Sequence, residues 1–361
     1  MFNLQVSNIM DNLEEVTEPV SPSGRYFNSS IICAYVFGFL ESEVPINDSQ
    51  TMYLLKHVFL PINPRFSSIM VRDKHGKMMW KKVEVRPEDH IKFPIFPKNE
   101  SSEFYDQYFD EYVSKIMMER TPQEKPLWEI HMIKYPTSNA AGTLIFKLHH
   151  ALGDGYSLMG ALLSCLQRAD DPSLPLSFPS RKSSESPPPY EKGFFKWFPS
   201  TIFSFFKSIS DFGWSIAKSS MIEDDKTPIR NGDEGVEFQP SVLSNISFSL
   251  DHIKQIKSKL GVAVAKHMYG TLRNSSVVMS NLIGPVEPMA LANHPVKGLY
   301  FTMTGGPESI NIAVMSYTRV LRVTLKTQKG FIDEQKFKFC MVKAFEDISK
   351  AATEVPNKSK G

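Results

Sequence analysis

Thr143-Leu-Ile-Phe-Lys-Leu-His149-His150-Ala-Leu-Gly153-Asp154-Gly155-Tyr-Ser157 decides how the chain is read. Seven residues rich in apolar side chains, too short for a lone helix, predict a buried strand over 143–149. The strand ends in two histidines, then an aspartate between two glycines, and a helix predicted over 155–169. Side chains at such a strand end can point into a cleft while a sheet holds them still. Imidazole is the side chain best suited to take a proton near neutral pH. Gly153 and Gly155 are expected to supply backbone turns that other residues resist. Four readings of the pair compete. They are satisfied histidines closing a strand, a metal site using His150 and Asp154, a Ser-His-Asp hydrolase, or a histidine base. The metal reading lacks a nearby third ligand, and the glycines break the helix its spacing needs. The hydrolase reading lacks a Gly-x-Ser-x-Gly elbow.

Outward from this stretch, strands and helices alternate. Strands are predicted over 31–39, 65–71, 77–85 and 127–134, with a turn at Asp73–Gly76. Helices are predicted over 51–60, stopped by Pro61, and over 104–120, with Tyr105, Tyr108, Phe109, Tyr112, Val113, Ile116 and Met117 on one side. Further on, strands are predicted over 277–281, 310–317 and 320–327, and a closing helix over 333–350 with a stripe of Phe337, Met341, Ala344, Phe345 and Ile348. This is an α/β pattern of the mixed α+β kind.

Residues 170–193 hold six Pro and six Ser, a linker composition. The chain is therefore expected to divide into an N-terminal unit (1–169), a crossover (170–240) and a shorter C-terminal unit (241–361). Within the crossover, Phe198, Ile202, Phe205, Ile209, Phe212 and Ile216 fall on one helical stripe opposite Lys196, Lys207 and Lys218. That pattern suits a helix lying in a membrane surface over 194–218, and equally one packed on the protein's own core.

The 361 residues carry 41 basic and 39 acidic side chains, a net charge of +2, so no nucleic-acid partner is expected. At 42% hydrophobic and 22% charged, the composition excludes a disordered chain. Three scattered cysteines, Cys33, Cys165 and Cys340, do not make a disulfide framework and point to a reducing compartment. The acidic N-terminus has no basic leader with an apolar core, and no apolar run approaches the ~20 residues of a spanning helix.

His149-His150-Ala-Leu-Gly-Asp154-Gly155 resembles the His-His-x-x-x-Asp-Gly signature of acyl-CoA-dependent acyltransferases related to chloramphenicol acetyltransferase and condensation domains. More narrowly, the chain resembles plant-type wax ester synthase/diacylglycerol acyltransferases. Pro126-Leu-Trp128-Glu is similar to that family's Pro-Leu-Trp motif, and Ser280-Asn281-Leu-Ile-Gly284-Pro285 to its Ser-Asn-x-x-Gly-Pro motif. The stretch through Thr304-Gly305-Gly306, Asn311-Ile312 and Tyr317 is similar to its C-terminal domain.

The resemblance implies two chloramphenicol-acetyltransferase-like units, the second shortened between Val262 and Ser280. It implies transfer of a long acyl group from acyl-CoA, a co-substrate, to a long-chain alcohol or diacylglycerol, with no bound cofactor and no metal. His150 maps to the general base and His149 to its support. Asp154 maps to a structural residue that pairs with an arginine, and Gly155 to the loop turn. Asn281 is a candidate oxyanion donor, with a turn-forming role as the alternative. Trp128 reads as core packing. A peripheral enzyme on the cytosolic face of the endoplasmic reticulum, or at the cell membrane, follows by analogy. The missing segment raises the alternative of a non-catalytic lipid- or membrane-binding isoform.

Overall fold

A computed structural model describes residues 16–28, 33–174, 239–249, 277–305 and 309–354. The predicted linker beyond 174, the aromatic stripe of 194–218 and the acidic stretch up to 238 lie outside the described residues.

The strand predicted at 143–149 is β7, Gly142–His149, and every one of its eight residues is buried. It is central because both faces of its sheet are covered, which is why its sequence is nearly continuous in apolar residues. β7 pairs antiparallel with β2 (Tyr35–Ser42) on one side and with β6 (Trp128–Ile133) on the other. The full sheet has seven strands, in the order β5-β6-β7-β2-β12-β11-β8. Here β5 is Ile91–Lys92, β8 is Gln167–Arg168, β11 is Met289–Leu291 and β12 is His294–Thr304.

One face of this sheet presents Leu144, Phe146, Leu148, Val36, Leu40 and Phe301 to a core shared with Leu55 and Phe59 and with Leu158 and Leu162. These belong to two helical segments, α2 (Asp48–Leu54, continued by a π-helical turn, Leu55–Phe59) and α4 (Gly155–Ser164). The other face presents Tyr35, Phe37, Phe39, Ile145 and Tyr300 to Tyr105, Val113, Ile116 and Met117 of α3 (Ser102–Met118). The predicted apolar side of α3 is thus the side that packs.

β1 (Val16–Pro19), β4 (Met78–Lys82) and β3 (Ser68–Arg72) form a small sheet whose Met70 and Trp80 join the core of the first face, and the short helix α1 (Pro22–Phe27) follows β1. A second large sheet has the order β10-β13-β14-β9, with β9 Ser241–Ser249, β10 Val277–Ile283, β13 Ile310–Tyr317 and β14 Val320–Gln328. Phe337 and Met341 of the closing helix α5 (Glu334–Glu354) pack on its Ile246, Ile312 and Leu325. Phe345 lies against Phe248, at 4.1 Å between ring centroids.

The structure revises several expectations. The boundary at 241 does not separate two sheets, because β11 and β12, from the C-terminal stretch, complete the N-terminal one. The helix predicted to 169 stops at Ser164, since the chain must extend again at Gln167 to pair with β11. The helical run predicted to stop at Pro61 continues through Leu60–Ile62 and ends at Asn63, whose backbone is extended. On α5, Val342 takes the packing place predicted for Ala344 and Ile348, both exposed. No helix among the described residues is long and apolar enough to cross a membrane.

Candidate active site

β7 delivers His149 and His150 to the rim of the seven-stranded sheet with opposite orientations. The backbone N–H of His150 donates to the Ala34 carbonyl at 2.8 Å, so β2 fixes where the strand ends.

His149 faces the α3 side and is fully buried. Its Nδ1 accepts a hydrogen bond from the Ala151 N–H at 3.0 Å, which places the ring proton on Nε2, 3.6 Å from Cys33 Sγ. The Tyr35 ring meets it edge-on at 4.8 Å. Burial, with smaller repulsion from His150, Arg120 and Lys147, pushes its pKa down to about 3. His149 is a neutral ring that ties down the turn after it.

His150 is half-buried and stacks on Phe27, with ring centroids 4.2 Å apart and planes 27° from parallel. It borders a cavity of about 290 Å³ lined by Ser21, Phe27, Arg65, Gly153, Asp154 and Ser157. A second cavity of about 430 Å³ shares Arg65, Gly153 and Ser157 and reaches Glu18 and Asn63. The second histidine of the pair therefore has open space on a polar side, and the first has none. A ring of this kind can take a proton from a hydroxyl group entering the cavity.

Asp154 is the N-cap of α4, its carboxylate accepting from the Ser157 N–H at 2.7 Å. The Ser157 side chain, and then this N–H, hold the carboxyl below the usual carboxylate range. The expected pairing with an arginine takes another form. Arg65 reaches the loop at the Leu152 carbonyl, 3.2 Å away, and its charge pairs with Glu18 at 2.6 Å. Asp154 serves the helix and Arg65 serves the loop.

Gly155 is not required by backbone geometry. Neither Gly153 nor Gly155 has a positive φ, and a Cβ at 155 would meet no atom within 4 Å. The expectation of glycine-dependent turning is corrected on this point.

Asn281 does not sit at a strand end. It lies within β10, exposed, in register with Val314, and β10 continues to Ile283. It is absent from the lining of the His150 cavity. The tight element of its motif is Gly284, where a Cβ would fall 2.1 Å from the Ser316 carbonyl oxygen. Tyr317 fixes the next loop: its hydroxyl accepts from the Met289 N–H and donates to the Val296 carbonyl. Trp128 is fully buried, donates to the Phe66 carbonyl at 2.8 Å and stacks on His90, so it is core. Among the described residues, no group of three or more His, Cys, Asp or Glu is arranged to hold a metal ion.

The sequence reading missed Arg65, Ser21 and Phe27. Each lies outside the quoted stretch, and only the folding of β1, α1 and the Pro64–Ser67 turn onto the loop brings them to His150.

A mixed sheet closed by a returning strand, with a paired-histidine loop at its rim, defines an acyltransferase-like or condensation-domain-like fold. Solved structures agree. A wax ester synthase/diacylglycerol acyltransferase from Marinobacter aquaeolei VT8 superposes with a TM-score of 0.58 at 15% identity, covering 92% of this chain and 97% of that one. The first condensation domain of the CDA synthetase superposes with a TM-score of 0.55 at 10% identity, covering 89% and 91%.

The model of the wax ester synthase/diacylglycerol acyltransferase catalytic domain matches residues 60–267, and that of the WS/DGAT C-terminal domain matches 246–349. Among curated relatives from Arabidopsis thaliana, wax ester synthase/diacylglycerol acyltransferase 11 is 32% identical over 265 residues, 70% of this chain and 52% of its own. Wax ester synthase/diacylglycerol acyltransferase 3 is 30% identical over 276 residues, 75% and 55%. The chain belongs to the wax ester synthase/diacylglycerol acyltransferase family. It spans about half the length of the curated relatives it matches.

Proposed function

We propose that the protein is an acyl-CoA-dependent O-acyltransferase that moves a long-chain acyl group to a fatty alcohol, giving a wax ester, or to diacylglycerol, giving triacylglycerol. The observation that carries this reading is the position of His150, whose ring borders a polar cavity while its neighbour is sealed in the core. His150 takes the hydroxyl proton as the alcohol oxygen attacks the thioester carbonyl. The tetrahedral intermediate collapses, the carbon–sulfur bond breaks, and the protonated imidazole returns the proton to the coenzyme A thiolate. General-base assistance of this kind contributes ~10²–10⁴-fold in rate. His149 acts as support, Asp154 and Arg65 shape the loop, and acyl-CoA is a co-substrate. The proposed setting is the cytosolic face of the endoplasmic reticulum or the cell membrane, with residues 194–218 on the lipid surface.

A second reading is a lipid-binding member of the family without turnover. It is favoured by one observation: every described residue lining the His150 cavity precedes Leu158, and none comes from 239 onward. One incubation separates the two. Labelled acyl-CoA with a long-chain alcohol or diacylglycerol should give ester with the wild-type protein and a 10²-fold or greater loss with His150→Ala. No ester from the wild type, or equal ester from both, defeats the transferase reading.

A further inference from the structure

Phe27, the last residue of α1, takes no part in the proton transfer itself, yet its ring lies over the face of the His150 imidazole. The two come from distant parts of the chain, and backbone bonds bring them together. The Ala34 N–H donates to the Phe27 carbonyl at 3.2 Å, and the Ala34 carbonyl accepts from the His150 N–H at 2.8 Å. One residue leading into β2 thus holds the main chain under both rings. The Asn28 N–H closes the turn on the Gly24 carbonyl at 3.2 Å, and the Asn28 side chain donates to Gln123 at 2.8 Å. α1 also lies close on the loop after β7. Gly24 is buried, and a Cβ there would stand 3.1 Å from Ser21 Oγ and 3.4 Å from the Ala151 carbonyl oxygen. The stack is therefore built into the backbone.

It acts on the base in two ways. A ring against one face blocks rotation of the imidazole out of its plane, so its nitrogens keep one heading relative to the cavity. The face of a benzene ring also carries partial negative charge and attracts a cation within about 6 Å of its centroid. At 4.2 Å between centroids, His150 is inside that range. The imidazole is neutral before it takes the hydroxyl proton and cationic afterwards. The attraction therefore grows as the reaction proceeds, and only an interaction of that kind accelerates a step. The charged groups around the ring act differently. Arg65 lines the same cavity and opposes a second positive charge, which Glu18 offsets from 2.6 Å. Asp154 favours the cation but is committed to the α4 cap, and His149 stays neutral.

We propose that Phe27 is a positioning residue for the transfer, its ring clamping the His150 imidazole and stabilising the imidazolium that forms as the hydroxyl proton arrives. The kinetic consequence rests on the acyl-transfer reading; the effect on the imidazole rests on the stack alone. Phe27 gives and takes no proton. The proton still passes from the acceptor hydroxyl to His150 and on to the coenzyme A thiolate.

The test uses the full chain with Phe27→Leu, which keeps the apolar contact and loses the aromatic face, and Phe27→Tyr, which keeps the face. With labelled acyl-CoA and a long-chain alcohol, Phe27→Leu should lower kcat about 2- to 30-fold, the range of one cation–π contact, and leave KM for acyl-CoA within about twofold. Phe27→Tyr should recover most of that loss. The acid limb of the pH–rate profile should move to lower pH in Phe27→Leu alone, whereas a purely structural role would lower the active fraction and leave the profile in place. A second measurement needs no turnover. In isotope-labelled protein the His150 ring signals, assigned by their loss in His150→Gln, should carry the ring-current displacement of a stacked aromatic. Phe27→Leu should abolish that displacement and move their pH titration to lower pH, and Phe27→Tyr should do neither. Equal titrations in wild type and Phe27→Leu overturn the proposal whatever the ester assay gives. So does a Phe27→Tyr variant as slow as Phe27→Leu, or a loss confined to KM. Ester from no variant, wild type included, with the titration difference intact, defeats the transferase reading and leaves the coupling of Phe27 to His150 standing.

Discussion

Two adjacent histidines in this chain have opposite physical fates, one sealed in the core and one at a cavity. An unfolded histidine titrates near 6.5, whereas His149 in the folded protein is pushed down to about 3. Between these values the unfolded state binds a proton that the folded state refuses, so stability is full above about pH 6.5 and falls as pH drops toward 3. The total is on the order of 5 kcal/mol at most. His90 and His131, also held low by burial, act in the same direction. Glu129 adds to the loss at lower pH. Burial acts to raise its pKa, but His131 and Lys147 outweigh it and leave it at about 2, so its contribution disappears between about pH 4.5 and 2. Urea denaturation at a series of pH values should therefore show a decline below pH 6.5 that is visibly shallower in His149→Gln. Equal slopes in the two proteins would mean that His149 is not held neutral. The pair itself was legible in the sequence, and so was the more useful member by family resemblance. The reason for their difference was not, because it lies in Cys33, Tyr35 and Phe27, which meet the pair only after β2 and α1 are in place.

At the scale of elements, Asp154 is the clearest case of a motif residue with an ordinary structural task. Its carboxylate satisfies the Ser157 N–H, one of the donors that a helix start leaves without an internal partner. Asp154→Ala should destabilise the protein by about 1 kcal/mol, within the range of about 0.5–2 for N-cap loss, and Asp154→Ser should restore most of it. Thermal or chemical unfolding measures this. If Ser and Ala variants are equally unstable, the cap is not what the aspartate provides. The elements themselves were readable where their pattern is local. β7, β13 and α3 fall within two residues of the predicted bounds, because an unbroken apolar run or a one-sided stripe needs no partner to be recognised. β12 was not seen. His294-Pro-Val-Lys-Gly-Leu-Tyr contains a proline and a glycine that argue against a central strand. Pro295 stands opposite Ala290 of the three-residue β11, and on the β2 side its carbonyl accepts from the Glu43 N–H at 2.9 Å. Gly298 is there because Glu41 and Arg322 form an ion pair in the space a side chain would fill: a Cβ would lie 2.0 Å from Glu41 Oε2.

That hidden strand governs the behaviour of the whole molecule. β12 pairs with β2 along nearly its full length, from Val296 opposite Ser42 to Thr304 opposite Tyr35. Its Leu299 and Phe301 enter the core on the α4 side, and Tyr300 stacks on Phe39 at 4.6 Å on the α3 side. The composition divides the chain into an N-terminal unit to 169, a crossover over 170–240 and a C-terminal unit from 241. In the structure the two units share a sheet, and a cut near 240 would strip the strand beside β2. Residues 1–240 alone would then expose Tyr35–Ser42, a run of mostly apolar residues, as an open edge with unpaired backbone groups, the geometry that invites aggregation. The same fragment would lose the buried contacts of Leu299, Tyr300 and Phe301, each worth about 1.5–3 kcal/mol, against a total stability that seldom exceeds about 15 kcal/mol. Expressed by itself, 1–240 should be insoluble or lack a cooperative unfolding transition by circular dichroism. Co-expressed with 241–361 it should be recovered in a soluble complex, because β11 and β12 can add to the sheet in trans. A soluble, cooperatively unfolding 1–240 fragment would show that the boundary read from composition is a true domain boundary, and that β11 and β12 are dispensable for holding His149 and His150 at the rim.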